Sequence, residues 1–110
     1  MLRHDLFREP AMIVQAISIV LAEYPTLRWS DIACRERDAH RCDLRATICL
    51  VLHRLGHRSQ EIGEATERHH SNARHMVDRG RALYDSDPIF RARVDRAMQK
   101  IVKLKAELYP

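Results

Sequence analysis

The sequence predicts an all-α fold, a small helical bundle of about five or six helices containing a helix-turn-helix. Three observations lead there. Apolar residues recur at spacings of three and four through most of the chain, and no stretch alternates apolar and polar residues as a half-buried strand does. Three glycines and four prolines in 110 residues are too few for a turn-rich β-fold. A content of 45% hydrophobic and 31% charged residues is that of a folding chain, and the length fits one domain over residues 1–110.

Pro10 suits a first helical position, and Ile13, Ala16, Ile17, Val20, Leu21 and Tyr24 follow at helical spacing until Pro25 ends the run. Trp29, Ile32 and Ala33 read as a short second helix. From Cys34 to Asp43 the run C-R-E-R-D-A-H-R-C-D has no apolar period and reads as a solvated loop or a helix start. Leu44, Ile48, Val51, Leu52 and Leu55 form a third stripe, with Gly56 placed for its C′ cap. Ser59 is an expected N-cap for a short helix over Gln60 to about Thr66. After the polar break Glu67 to His70, Ala73, Met76, Val77, Gly80, Leu83 and Tyr84 resume the helical period. Ser86-Asp87-Pro88 opens a closing helix carrying Phe90, Val94, Ala97, Met98, Ile101 and Leu108.

The net charge is +4 with neutral histidines, and 16 of the 19 basic residues are arginine. Arginine's planar fork of donors suits phosphates and guanine edges, so the balance is compatible with nucleic acid. Two short helices separated by a few polar residues, the second polar at its start, have the form of a helix-turn-helix. With Ala73, Met76 and Val77 facing the core, Ser71, Asn72, Arg74 and His75 lie on the open side, where a recognition helix meets base edges. The plain alternative is a solvated helix face.

Other chemistry is not expected. No G-x-x-x-x-G-K-[ST] or G-x-G-x-x-G run is present, so no nucleotide or other cofactor is implied. His53 and His57 stand four apart, and His40, Cys42, His69, His70 and His75 could in principle gather, but no C-x-x-C or H-E-x-x-H accompanies them. Surface or turn histidines, and no metal, are the simpler reading. Ser59 and Ser71 lack a nucleophile motif, so no catalytic residue is named and no enzymatic activity is expected. Cys49 sits in an apolar run as a small buried hydrophobe. Three cysteines with no secretory segment suggest a cytoplasmic protein, and Ala16 to Ala22 is far short of the ~20 residues of a membrane span. The sequence carries no signal for oligomeric state.

The stretches A-E-Y-P-T-L-R-W-S-D-I, L-R-A-T-I-C-L-V-L-H-R-L-G-H-R-S-Q-E-I-G-E-A, R-H-H-S-N-A and D-P-I-F-R-A-R-V resemble, in order, the C-terminal DNA-binding domain of the bacterial replication initiator DnaA. The resemblance covers roughly Ala11 to Ile101. Its strongest elements are Glu61-Ile62-Gly63 and the Arg68 and His70 of a family motif R-D-H-[ST]-T-V.

The resemblance implies a helical domain that binds double-stranded DNA, with a recognition helix in the major groove and arginines of an upstream basic loop on phosphates and the minor groove. On this chain the recognition segment is Arg68, His69, His70, Ser71, Asn72, Arg74 and His75, and the loop is Arg35, Arg37, Arg41 and Arg45. Gly63 lets the two helices pack closely. The family's Asp is His69 here, its Thr pair is Ser71 and Asn72, and Glu36, Asp38 and Asp43 dilute the loop. A cytosine acceptor and thymine-facing methyls are thereby lost, and the initiator's ATPase part has no counterpart. The expected role is a transcription or replication regulator. The alternative is a protein-interaction module that kept the fold and lost specific DNA binding.

Overall fold

The structure, a computed structural model, describes residues 10–108; residues 1–9 and 109–110 of the expected domain lie outside the described residues. It is all helical, with six helices and no strand among the described residues: α1 (Pro10–Leu21), α2 (Ser30–Ala33), α3 (Ala39–Arg54), α4 (Ser59–Ala65), α5 (His70–Ser86) and α6 (Pro88–Leu108).

The centre of the bundle is α3. Every residue from Leu44 to Leu52 is buried, so the stripe expected from Leu44, Ile48, Val51, Leu52 and Leu55 is in fact a helix enclosed on all sides. Neighbours account for this: α1 and α6 cover one flank of α3, α5 covers another, and α2 lies over its beginning. Two polar residues inside the enclosed stretch made the sequence look one-sided. Thr47 is one of them: its hydroxyl donates to the Asp43 carbonyl at 2.7 Å and receives the hydroxyl of fully buried Tyr24 at 2.7 Å. Arg45 is the other.

Helix ends are fixed by specific bonds. Gly56, at φ +95°, ends α3 in a Schellman arrangement, with the Gly56 amide donating to His53 O at 3.0 Å and the His57 amide to Leu52 O at 3.1 Å. The same turn tucks the His57 ring inward, so of the surface or turn placements expected for the histidines His57 takes the turn one, and it is buried. Ser59 is the first residue of α4 rather than its cap. The Glu61 carboxylate does the capping, accepting the Arg58 amide at 3.0 Å. Asp87 Oδ1 accepts the amides of Ile89 and Phe90 at 2.9 and 3.2 Å, and Pro88 follows as the first residue of α6. Phe90, Val94, Ala97 and Ile101 of α6 enter the core, whereas Leu108 is 54% exposed because the helix runs past the bundle.

Two glycines set how closely helices meet. Between α4 and α5 the chain turns through Thr66 to His69, with Glu67 in the left-handed region at φ 54° and the Arg68 amide donating to Gly63 O at 2.7 Å. A Cβ on Gly63 would stand 2.5 Å from the Arg68 carbonyl oxygen, and one on Gly80 of α5 would stand 2.9 Å from the Ala46 carbonyl oxygen in α3. Both contacts are backbone and cannot swing aside. Gly63→Ala and Gly80→Ala should therefore each destabilise the protein by about 1–3 kcal/mol in urea unfolding, even though alanine is favoured over glycine in a helix by about 1 kcal/mol. Ala82→Gly, at an exposed position of α5, should lose only that helix preference; equal or greater stability of either alanine variant would refute the close-packing account.

Candidate nucleic-acid interface

Of the expected loop arginines only Arg35 and Arg37 lie in the segment 34–38 between α2 and α3, Arg41 and Arg45 being in α3 itself, and what shapes the segment is Arg45, one turn and a half into that helix. Its side chain is 4% exposed. Nε donates to Ile32 O at 3.1 Å, Nη1 to Glu36 O at 2.6 Å, and Nη2 to Asp31 O and Cys34 O at 3.0 and 2.8 Å, with Cys34 Sγ at 3.0 Å. The guanidinium thus gathers the carbonyls of the α2 end and the loop onto α3. Arg45 lies within α3 and not at the surface, which corrects its expected place among the loop arginines: four of its five N–H donors are spent on backbone carbonyls.

Arg41 is also engaged. Its Nε lies 2.7 Å from Asp31 Oδ1, and its Nη1 lies 2.7 Å from both Glu36 Oε2 and Asp38 Oδ1. Bonds from Arg41 hold the carboxyls of Asp31 and Asp38 below their ordinary range, and Asp38 caps α3 through the Arg41 amide at 3.2 Å. Arg35 and Arg37 are exposed, and their guanidinium groups form no hydrogen bond or ion pair among the described residues; the Arg37 carbonyl accepts from the Cys42 thiol at 3.4 Å.

The recognition segment divides similarly. Arg68 precedes α5 and donates through Nη2 to Cys34 O at 2.7 Å and Ile32 O at 3.4 Å, two carbonyls that Arg45 already holds. Burial, and then the Arg45 charge, push the Arg68 pKa down from the usual guanidinium value. His69 is the N-cap of α5: its Nδ1 accepts the Ser71 amide at 3.2 Å and lies 2.8 Å from the Ser71 hydroxyl. The ring of His70 lies 4.0 Å from that of His69, centroid to centroid. Histidine thus takes over the capping that an aspartate would supply, with Nδ1 as the acceptor. Ser71, Arg74 and His75 are exposed as expected. Asn72 is half-buried, less open than expected, with its Oδ1 buried and unpaired.

A pocket of about 440 Å³ joins the two groups. Arg37, Arg45 and Arg68 line it from one side and Asn72 and His75 from α5. Arg79, also in its wall, was missed by sequence reasoning, although 72, 75 and 79 fall on one helical face and the spacing could have found it. A second, open groove between the start of α4 and α5 holds His70 and Arg74 with Arg58 and Gln60. Among the described residues there is no group of three or more His, Cys, Asp or Glu side chains arranged for a metal, and no helix is long and apolar enough to cross a membrane. Burial pushes the Cys49 thiol up to about 12. No family model, curated protein or solved structure matches the chain.

Arg41 gives the site an acid dependence. Asp31 and Asp38 are depressed in the folded state, so their contribution to stability is present above the unfolded carboxylate pKa of about 4 and is lost as pH falls through their lowered folded values. Urea unfolding between pH 7 and pH 2.5 should show that decline, and Arg41→Ala should flatten it; an equally steep acid limb in the variant would place the dependence elsewhere. Arg45→Gln should cost about 1–3 kcal/mol at every pH in that range, through carbonyls left without donors.

Proposed function

We propose that this protein binds double-stranded DNA as a regulator of transcription or replication, with α4, the turn and α5 acting as a helix-turn-helix. The observation that carries the reading is the pairing of two kinds of group on neighbouring segments. Ser71, Arg74 and His75 are exposed on the first turns of α5, and Arg35 and Arg37, exposed and without ion pairs, stand on the loop that shares a pocket with α5. Serine and arginine at the start of a helix suit base edges in a major groove, and unpaired loop arginines suit phosphates on either side of it. The resemblance to the initiator's DNA-binding domain supports the same arrangement. Binding needs no nucleotide and no metal in this reading, and no reaction is catalysed. A second reading, an interaction module without specific DNA binding, is favoured by one observation: three carboxylates surround Arg41 at the start of α3, beside the basic loop.

Selection from a random duplex pool tests the proposal and supplies the preferred site. Arg35→Ala and Arg37→Ala should weaken binding to all duplexes and each reduce the salt slope by about one, because phosphate neutralisation releases counterions whatever the base. Arg74→Ala should relax preference at particular base pairs at a cost of about 1–3 kcal/mol. Restoring the family pattern with His69→Asp, Ser71→Thr and Asn72→Thr should shift preference toward the initiator's box while keeping the cap of α5. No duplex binding at low salt would leave the interaction-module reading, and a loss of binding on adding a chelator would revive a metal site.

A further inference from the structure

We propose that the pocket between the 34–42 segment and α5 binds inorganic phosphate, which keeps a hydroxyl at neutral pH. The charge balance of its wall is the first reason. Arg37, Arg45, Arg68 and Arg79 all line it with His75, and no carboxylate does. Arg45 and Arg68 share the same two acceptors, the carbonyls of Ile32 and Cys34, so two guanidinium groups are held side by side on neutral oxygens. Neither has an ion pair among the described residues. Like charges held together in a partly buried place call for an anion between or beside them.

The second reason is two polar atoms on side chains that line this pocket. Arg68 Nε is a buried donor without an acceptor, and Asn72 Oδ1 is a buried acceptor without a donor. Buried polar groups are satisfied in the great majority of folded proteins, and exceptions mark a ligand or an ordered water. A phosphate with one hydroxyl meets both needs: an ionised oxygen accepts from Arg68 Nε and the hydroxyl donates to Asn72 Oδ1. Sulfate and a phosphodiester carry no hydroxyl near neutral pH and would leave Asn72 unsatisfied. Arg37 and Arg79, both exposed and with guanidinium groups that make no hydrogen bond or ion pair among the described residues, are the arms that close on the anion from the loop and from α5. The site goes beyond the duplex reading, because a free phosphate would occupy it whether or not the chain binds DNA.

Calorimetric titration of the full chain with inorganic phosphate, and separately with sulfate, at fixed ionic strength tests the proposal. Phosphate should bind saturably at one site and raise the unfolding temperature, with sulfate at least tenfold weaker. Arg37→Gln and Arg79→Gln, both at exposed positions, should unfold like the parent without phosphate and bind it about tenfold more weakly. Asn72→Ala should narrow the preference over sulfate. Glycerol phosphate, a monoester whose second pKa of about 6 leaves it largely without a phosphate hydroxyl at pH 7.5, should bind more weakly than the free ion in a parallel titration; equal or tighter binding would overturn the hydroxyl assigned to Asn72. No saturable phosphate binding, equal binding of sulfate, or indifference to both arginine substitutions would overturn it. Phosphate binding without duplex binding would sink the DNA reading alone, and duplex binding without phosphate binding would sink this site alone.

Discussion

A single guanidinium organises the candidate site. Arg45 reaches out of the enclosed helix α3 and takes the carbonyls of residues 31, 32, 34 and 36, which fixes the end of α2 and the loop after it against the bundle. Those oxygens belong to the last residues of α2 and the irregular loop after it, where they would otherwise face water or stand unpaired. Once the loop is anchored, Arg68 can donate to two of the same carbonyls, and this ties the turn before α5 to the loop before α3. The two halves of the basic face are therefore joined by backbone oxygens and arginine nitrogens rather than by apolar packing.

That construction separates arginines that look alike in sequence. Arg45 is structural in its bonding, Arg68 is structural through Nη2 but keeps Nε unpaired, Arg41 is occupied by carboxylates, and Arg35, Arg37, Arg74 and Arg79 remain available to a partner. Exposed charge is what a mobile polyanion meets first, and an arginine whose donors are all in use adds to the local potential without contacting it. The basic face is better described as a few free cations set on a fixed positive base.

Much of the fold was legible because helices advertise themselves through a repeating apolar spacing. The limits of α1, α5 and α6 follow from Pro10, from the polar break before Ala73, and from Asp87-Pro88, and Gly56 marks the end of α3. The pocket was not legible. Arg45 is flanked by Leu44 and Ala46 at the edge of a charged run, and nothing in residue type distinguishes an arginine that turns inward to carbonyls from one that faces water. Backbone acceptors carry no residue code, so an arginine satisfied by Ile32 O and Cys34 O leaves no complementary acid to be read. His57 is similar: its burial follows from a Schellman turn, which the glycine signals, but the side chain one place beyond it does not.

The enclosure of α3 also bears on how the chain is made. From Leu44 to Leu52 the helix has no water-facing side, and the helices that cover two of its flanks, α5 and α6, come after it in the chain. During synthesis at roughly 5–20 residues per second, the 54 residues that follow Arg54 up to Leu108 take about 3–11 s to add. Until α4, α5 and α6 emerge in turn, only α1 and α2 are there to shield an apolar surface meant for five neighbours. A nascent chain in this state presents the kind of segment that holding chaperones bind, and the ribosome delivers its cover last.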